Sequence, residues 1–324
     1  MNNFYGLIEN TSEPTAIIIN ILLLALGFTI LAKGADWFVE GSCGIAVKLK
    51  IPQIIIGLTI VAMGTSAPEA AVSISSALKG NADIAIGNVV GSNILNILII
   101  LGISAVITPL IIAQSTKIID IPVMISATIL LLLLGIDGSI GMLDGIIFLA
   151  AFISYMAYLF FAARKKADAS VCSGSEMSLV KSVVFAIIGL AVIIIGSNVS
   201  IDSATFLALK MGISERFIGL TVVALGTSLP ELFTSVTAAC KKNADIAIGN
   251  IVGSNIFNIL FILGITSIVH TVPFVVDFRA DTIIAVGSAL LLLICCLVFK
   301  KLNRISGMIM LLSYAAYFIY LLNK

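Results

Sequence analysis

The sequence predicts an all-α polytopic membrane protein with ten transmembrane helices, arranged as two inverted five-helix repeats. Three observations carry this reading. The chain of 324 residues is 60% hydrophobic and 11% charged, with a mean hydropathy of +1.20. Its apolar residues fall into ten runs of membrane-spanning length. Its second half repeats the first at a fixed offset of 162 residues.

The composition comes first because it excludes most. A soluble domain is about 25% charged, and so little charge cannot cover a water-facing surface. A soluble enzyme, a nucleic-acid binder, a disordered chain and a disulfide scaffold are all excluded. The net charge of +1 says nothing about partners. The five cysteines, Cys43, Cys172, Cys240, Cys295 and Cys296, show neither metal-ligand nor disulfide spacing and read as small apolar residues.

Charged or Pro/Gly-marked turns delimit segments at about 15–47, 53–78, 83–107, 117–135, 142–163, 179–210, 215–240, 245–270, 280–299 and 304–322. The first and sixth exceed one perpendicular crossing and should tilt or bend. Residues 1–14 read as a short polar lead rather than a signal peptide, and no lipidation motif is present. One membrane domain is expected: a first repeat over 15–163, a short cytoplasmic linker over 164–178, and a second repeat over 179–324. With the amino terminus outside, twelve basic residues fall inside and five outside. The positive-inside rule therefore places both termini outside the cytoplasm.

The duplication has no gaps. GLTIVAMGTSAPE (57–69) meets GLTVVALGTSLPE (219–231), and NADIAIGNVVGSNILNIL (81–98) meets NADIAIGNIVGSNIFNIL (243–260). Between 56 and 103, 34 of 48 residues equal their partners. Five helices per half, an odd number, require the second copy to insert upside down. Secondary transporters with inverted repeats bind their substrates at the repeat interface.

Glu69 and Glu231 occupy equivalent places in these repeats, in apolar segments far from either end. A carboxylate at the bilayer centre costs about 3 kcal/mol on insertion scales, so it faces an interior cavity and a partner. Neither motif offers Lys, Arg or His, which leaves protons or bound cations. Pro68 and Pro230 lack an N–H, and should release the carbonyls of Gly64 and Gly226. Thr65 and Ser66, with Thr227 and Ser228, add hydroxyls in the preceding turn, and Thr65, Glu69 and Ser73 share one helix face. The following helices present Asn88, Ser92 and Asn96, copied as Asn250, Ser254 and Asn258. Asn88 and Asn93 with their copies read as interhelical glue, while Ser92 and Asn96 would face the Glu pair. Gly87 and Gly91, with Gly249 and Gly253, form GxxxG elements that permit close helix approach. An inventory of oxygen donors alone suits hard cations such as Ca²⁺ and Na⁺.

Elsewhere the signals are weaker. Lys33, Asp36 and Glu40 lie along one side of the first helix beside Trp37 and read as an interfacial anchor, with Asn198 and Asp202 as the sixth-helix counterparts. The sole histidine, His270, reads as an interface residue, and a single histidine remote from any nucleophile argues against Ser-His chemistry.

GTSAPE (64–69) and GTSLPE (226–231), followed by GNVVGSNILN (87–96) and GNIVGSNIFN (249–258), resemble the paired alpha-repeats of the cation/calcium exchanger superfamily. The prokaryotic, particularly archaeal, sodium/calcium exchangers are the most similar branch, and the resemblance covers essentially the whole chain. It implies antiport of Ca²⁺ against Na⁺ by alternating access. By motif position, Glu69 and Glu231 would be shared between the calcium site and adjacent sodium sites. Thr65 and Thr227 would supply side-chain and backbone oxygens, and Ala62 and Ala224 backbone carbonyls. Ser92 and Ser254 would complete flanking sodium sites, with Asn96 and Asn258 in the middle. The first and sixth helices resemble a gating pair that slides against the remaining core. Some archaeal members and the potassium-dependent branch carry Asp where this chain has Asn258, so potassium co-transport is not expected. The short linker leaves no room for a calcium-sensor domain.

The sequence thus points to a Na⁺/Ca²⁺ antiporter of the cell membrane, electrogenic if three Na⁺ exchange for one Ca²⁺. It needs no cofactor, no nucleic acid and no obligate protein partner, and a monomer is compatible with it. A Ca²⁺/H⁺ or other divalent-cation antiporter shares the architecture. A cation channel, or an intramembrane hydrolase using Ser66 or Ser228, are the readings from other classes.

Overall fold

In the computed structural model, residues 13–165, 177–212, 224–299 and 301–322 are described. Helix α1 spans Glu13–Leu49; its 37 residues are one continuous helix about 55 Å long. A bent pair follows, α2 (Gln53–Thr65) and α3 (Ala67–Leu78), turned by 48°. Then come α4 (Ala82–Ile107), α5 (Thr116–Asp137), α6 (Met142–Lys165) and α7 (Leu179–Lys210). A short α8 (Ala224–Thr227) precedes α9 (Leu229–Cys240). The chain continues through α10 (Ala244–Val269), α11 (Val276–Val298) and α12 (Arg304–Leu322).

Among the described residues, eight helices are long and apolar enough to cross a membrane, or nine if α2–α3 is one span. The expected seventh segment, 215–240, is represented by α8 and α9, and its first part lies outside the described residues. The linker expectation over 164–178 and the polar lead over 1–14 also fall largely outside them.

Helices α4 and α10 form the centre, with 72% and 83% of their apolar windows buried, whereas α1, α6 and α12 line the periphery. The GxxxG expectation holds for α10 and α2. A Cβ on Gly253 would lie 2.7 Å from the Leu58 carbonyl oxygen, and one on Gly249 2.8 Å from that of Ile54. Residues 219–223, which the repeat would set against Gly87 and Gly91, lie outside the described residues.

Helix α1 packs along α7. A Cβ on Gly34 would come 2.8 Å from the Ile193 amide nitrogen, and one on Gly196 2.9 Å from that of Leu31. Gly27 meets Gly196 while Gly34 meets Gly189, so one register rises as the other falls and the helices run antiparallel.

Two short antiparallel strand pairs clasp the connections between helices. Strand β1 (Leu110–Ile111) pairs with β4 (Lys301–Leu302), and β2 (Ser139–Ile140) with β3 (Val272–Pro273). Leu110 faces Leu302 and Ile140 faces Val272. A shift of 162 turns the first pair into the second, with the partners exchanged.

Candidate cation site

The site begins where two helices break. Pro68 and Pro230 are tolerated at the start of a helix, where the missing N–H has no partner to lose. Accordingly the chain leaves the helical path at Ser66 (φ −80°, ψ 8°) and at Ser228 (φ −90°, ψ 5°), then resumes as α3 and α9. This corrects the expectation that Glu69 and Glu231 lie far from a helix end. Each sits in the first turn of a helix, where the exposed N–H groups favour negative charge. The Gly226 carbonyl is not left free either: it accepts the Ser197 hydroxyl at 2.8 Å.

Both carboxylates are buried, at 1% and 0% exposure. Each is held by a serine from the other half. Ser66 Oγ donates to Glu231 Oε1 at 2.8 Å, and Ser228 Oγ donates to Glu69 Oε1 at 3.1 Å. Thr65 and Thr227 lie beside Glu231 and Glu69. Ser254 Oγ lies 3.4 Å from Glu231 Oε1 and from the Ala62 carbonyl oxygen. Ser92, its copy, instead donates to the Asn88 carbonyl at 2.6 Å. Ala224 is placed at the first residue of α8.

Asparagines from α4 and α10 brace this pair. Asn88 Nδ2 donates to the Glu69 carbonyl at 3.3 Å and to Ser73 Oγ at 3.0 Å. Asn250 Nδ2 does the same to the Glu231 carbonyl at 3.4 Å and to Ser235 Oγ at 2.9 Å. Thr65 Oγ1 donates to Asn250 Oδ1 at 3.0 Å. Asn96 and Asn258 each open a π-helical turn, Asn96–Leu101 and Asn258–Leu263, a geometry frequent at functional sites. Their Nδ2 groups are engaged, at 2.9 Å to Asn255 Oδ1 and 3.1 Å to Asn93 Oδ1.

Four buried oxygens of these side chains have no hydrogen-bond partner among the described residues: Glu69 Oε2, Glu231 Oε2, Asn96 Oδ1 and Asn258 Oδ1. An orphaned buried acceptor costs about 1–3 kcal/mol, and more when charged. Four of them, in two copy-related pairs, are oxygens of the kind that hard cations take as ligands. No cluster of three or more His, Cys, Asp or Glu side chains forms among the described residues. The candidate site, among the described residues, holds two carboxylates surrounded by neutral oxygens.

Sequence reasoning did not find the crossed Ser–Glu bonds, the capping of Gly226 by Ser197 or the π-helical turns. The first two join residues remote along the chain, and the third leaves no composition signal. The other features lie away from this site. Asp36 pairs with Lys241 at 3.0 Å, joining α1 to the end of α9, with both side chains about 40% exposed. His270 ends α10, with its ring nitrogen Nδ1 3.0 Å from the Thr271 carbonyl oxygen. Cys43, Cys240, Cys295 and Cys296 are free thiols; Cys172 lies outside the described residues.

Buried carboxylates at broken helices inside an apolar bundle, with no ion pair among the described residues, point to a class, the membrane transporters of cations. Comparison with known proteins narrows it. The family model for the sodium/calcium exchanger protein matches residues 19–161 and again 181–323, and the chain belongs to that family. It is 36% identical to a putative antiporter, CaxA, of Alkalimonas amylolytica, over 93% of this chain and 98% of that one. It is 31% identical to the sodium/calcium exchanger MaX1 of Methanosarcina acetivorans, over 94% and 99%. Among solved structures, the sodium-calcium exchanger NCX_Mj superposes with a TM-score of 0.82 at 34% identity, covering 94% of this chain and 99% of that one. The protein is thus a multi-pass membrane exchanger and secondary transporter, not an enzyme.

Proposed function

We propose that this protein exchanges Na⁺ for Ca²⁺ across the cell membrane by alternating access. The observation that carries the reading is the pair of buried carboxylates with copy-related orphan oxygens and no basic partner among the described residues. Glu69 and Glu231 serve both ions. Thr65, Thr227, Ser66, Ser228, Ser92, Ser254, Asn96, Asn258 and the carbonyls of Ala62 and Ala224 complete the calcium site and its sodium neighbours.

Ten spans in two inverted repeats, 15–163 and 179–324, with both termini outside, complete the proposed architecture. The crossed Ser–Glu bonds and the exchanged strand pairs support it, because each is its own image under the 162 shift. Helices α1 and α7 act as the sliding pair, and the protein works as a monomer.

Charge decides the coupling. With Asn at 96 and at 258, two carboxylates are neutralised by one Ca²⁺, whereas three Na⁺ leave a net +1. A three-for-one cycle moves one charge, worth about 2.3 kcal/mol per 100 mV, and needs no K⁺.

Proteoliposomes decide between this and a Ca²⁺/H⁺ exchanger, which the putative antiporter CaxA keeps in view. Ca²⁺ uptake is expected to require an outward Na⁺ gradient and to respond to a clamped potential. Uptake driven equally well by a pH gradient without Na⁺ overturns the proposal.

A further inference from the structure

Asn96 and Asn258 can serve a cation only if their carboxamides turn the oxygen inward. Oxygen and NH₂ are nearly the same size, so shape alone does not set which faces the site. The hydrogen bonds do. Asn93 Nδ2 donates to the Asn255 backbone carbonyl at 3.1 Å, and Asn255 Nδ2 donates to the Asn93 backbone carbonyl at 3.1 Å. A backbone carbonyl can only accept, so both amides are locked with nitrogen toward it. Their Oδ1 atoms must then face the other way, where they accept from Nδ2 of Asn258 and of Asn96. This leaves Oδ1 of each as the buried, unpartnered atom. Turning Asn93 over would set oxygen against a carbonyl and NH₂ against NH₂, losing two bonds at once.

We propose that Asn93 and Asn255 are positioning residues for cation binding, which pass a fixed orientation from each other's backbone carbonyl to the carboxamides of Asn258 and Asn96. The inference rests on the proposed site, and it assigns to the Asn93–Asn255 pair a role beyond helix contact. Each half orients the binding amide of the other, since Asn93 acts on Asn258 and Asn255 on Asn96. Asn258 stands one helical turn beyond Ser254, which touches the Glu231 carboxylate. An inverted amide there would present hydrogens to a cation.

A double-mutant cycle tests this, reading binding of ⁴⁵Ca²⁺ to the purified full-length chain in Na⁺-free buffer. Asn93→Ala is expected to weaken binding about tenfold. A carboxylate presents oxygen whichever way it turns, so in the Asn258→Asp background the same Asn93→Ala change is expected to alter affinity less than about twofold. An unchanged affinity in Asn93→Ala, or an equal tenfold loss in both backgrounds, overturns the inference and leaves Asn93 a packing residue. If Asn93→Ala does not fold, Asn255→Ala with Asn96→Asp answers the same question in the mirrored copy. Glu69→Gln is measured alongside. Full binding in that variant defeats the site reading itself, whereas its loss together with an indifferent Asn93→Ala defeats only the orienting role.

Discussion

The hydroxyl of Ser66 donates to Oε1 of Glu231 at 2.8 Å, although 165 positions separate the two residues. Its mirror, Ser228 to Glu69, closes a crossed pair in which each half of the chain completes the other's carboxylate. Hydrogen bonds to charged groups are worth about 1.5–3 kcal/mol, more than neutral ones. Ser66→Ala and Ser228→Ala are each expected to raise the Ca²⁺ concentration for half-maximal uptake about tenfold. Flux titrations on both variants check this. A loss in one and none in the other would contradict their equivalence.

Glu69→Gln and Glu231→Gln keep the side-chain shape and an oxygen for the serine. They remove the charge that a cation answers. Ca²⁺ uptake is expected to fall at least ~100-fold in either variant, about 2.7 kcal/mol. The thermal melting point of the ion-free protein is expected to stay level or rise, because burying an unpaired charge is unfavourable. Uptake and melting curves on the same preparation separate lost binding from lost folding.

If Glu69 and Glu231 hold the cation as proposed, acid is expected to compete at the same carboxylates, since a protonated carboxyl no longer attracts Ca²⁺. Uptake is expected to fall as pH falls, and added Ca²⁺ to move the midpoint toward acid. The shift is about one pH unit per tenfold Ca²⁺ if one proton is displaced, and about half that if two are. Flux measured over a grid of pH and Ca²⁺ distinguishes these. A midpoint independent of Ca²⁺ would place the titrating group elsewhere.

The two copies also differ instructively where α3 and α9 end. The backbone turns left-handed at Gly80 (φ 82°) and at its counterpart Lys242 (φ 61°), with matching hydrogen bonds back into each helix. Lysine bears a Cβ penalty there that glycine does not. Lys242→Gly is therefore expected to stabilise the protein by about 0.5–1 kcal/mol, read as a higher melting temperature in detergent. Gly80→Lys is expected to do the reverse.

Much of the candidate site was legible in the sequence because the duplication marks it. Glu69 and Glu231 stand out as carboxylates in apolar surroundings, and Pro68 and Pro230 announce the helix breaks. Sequence placed those breaks imprecisely, since a proline constrains the turn before it while the hydrogen bonds decide where the helix restarts. The crossed serines were out of reach, because periodicity describes a helix face and not the face it meets. Asn93 and Asn255 read as glue for the same reason: their meaning lies in which atom each amide offers to a residue of the other half.

Two strand clasps staple the connections around α4, α5, α6, α10, α11 and α12 into a frame. Neither clasp involves α1 or α7. Those two instead form a beam of their own, because their glycines let backbone ride against backbone at Gly34 and Gly196. Against α8 and α9 that beam is held by the Ser197 hydroxyl on the Gly226 carbonyl, by the Phe28–Phe233 ring contact at 5.9 Å, and by the half-exposed Asp36–Lys241 ion pair, itself worth about 0–1 kcal/mol. The stiffness of the molecule is therefore uneven by construction. A push delivered near Glu69 and Glu231 finds a stapled frame on one side, and on the other a beam that neither clasp ties to it.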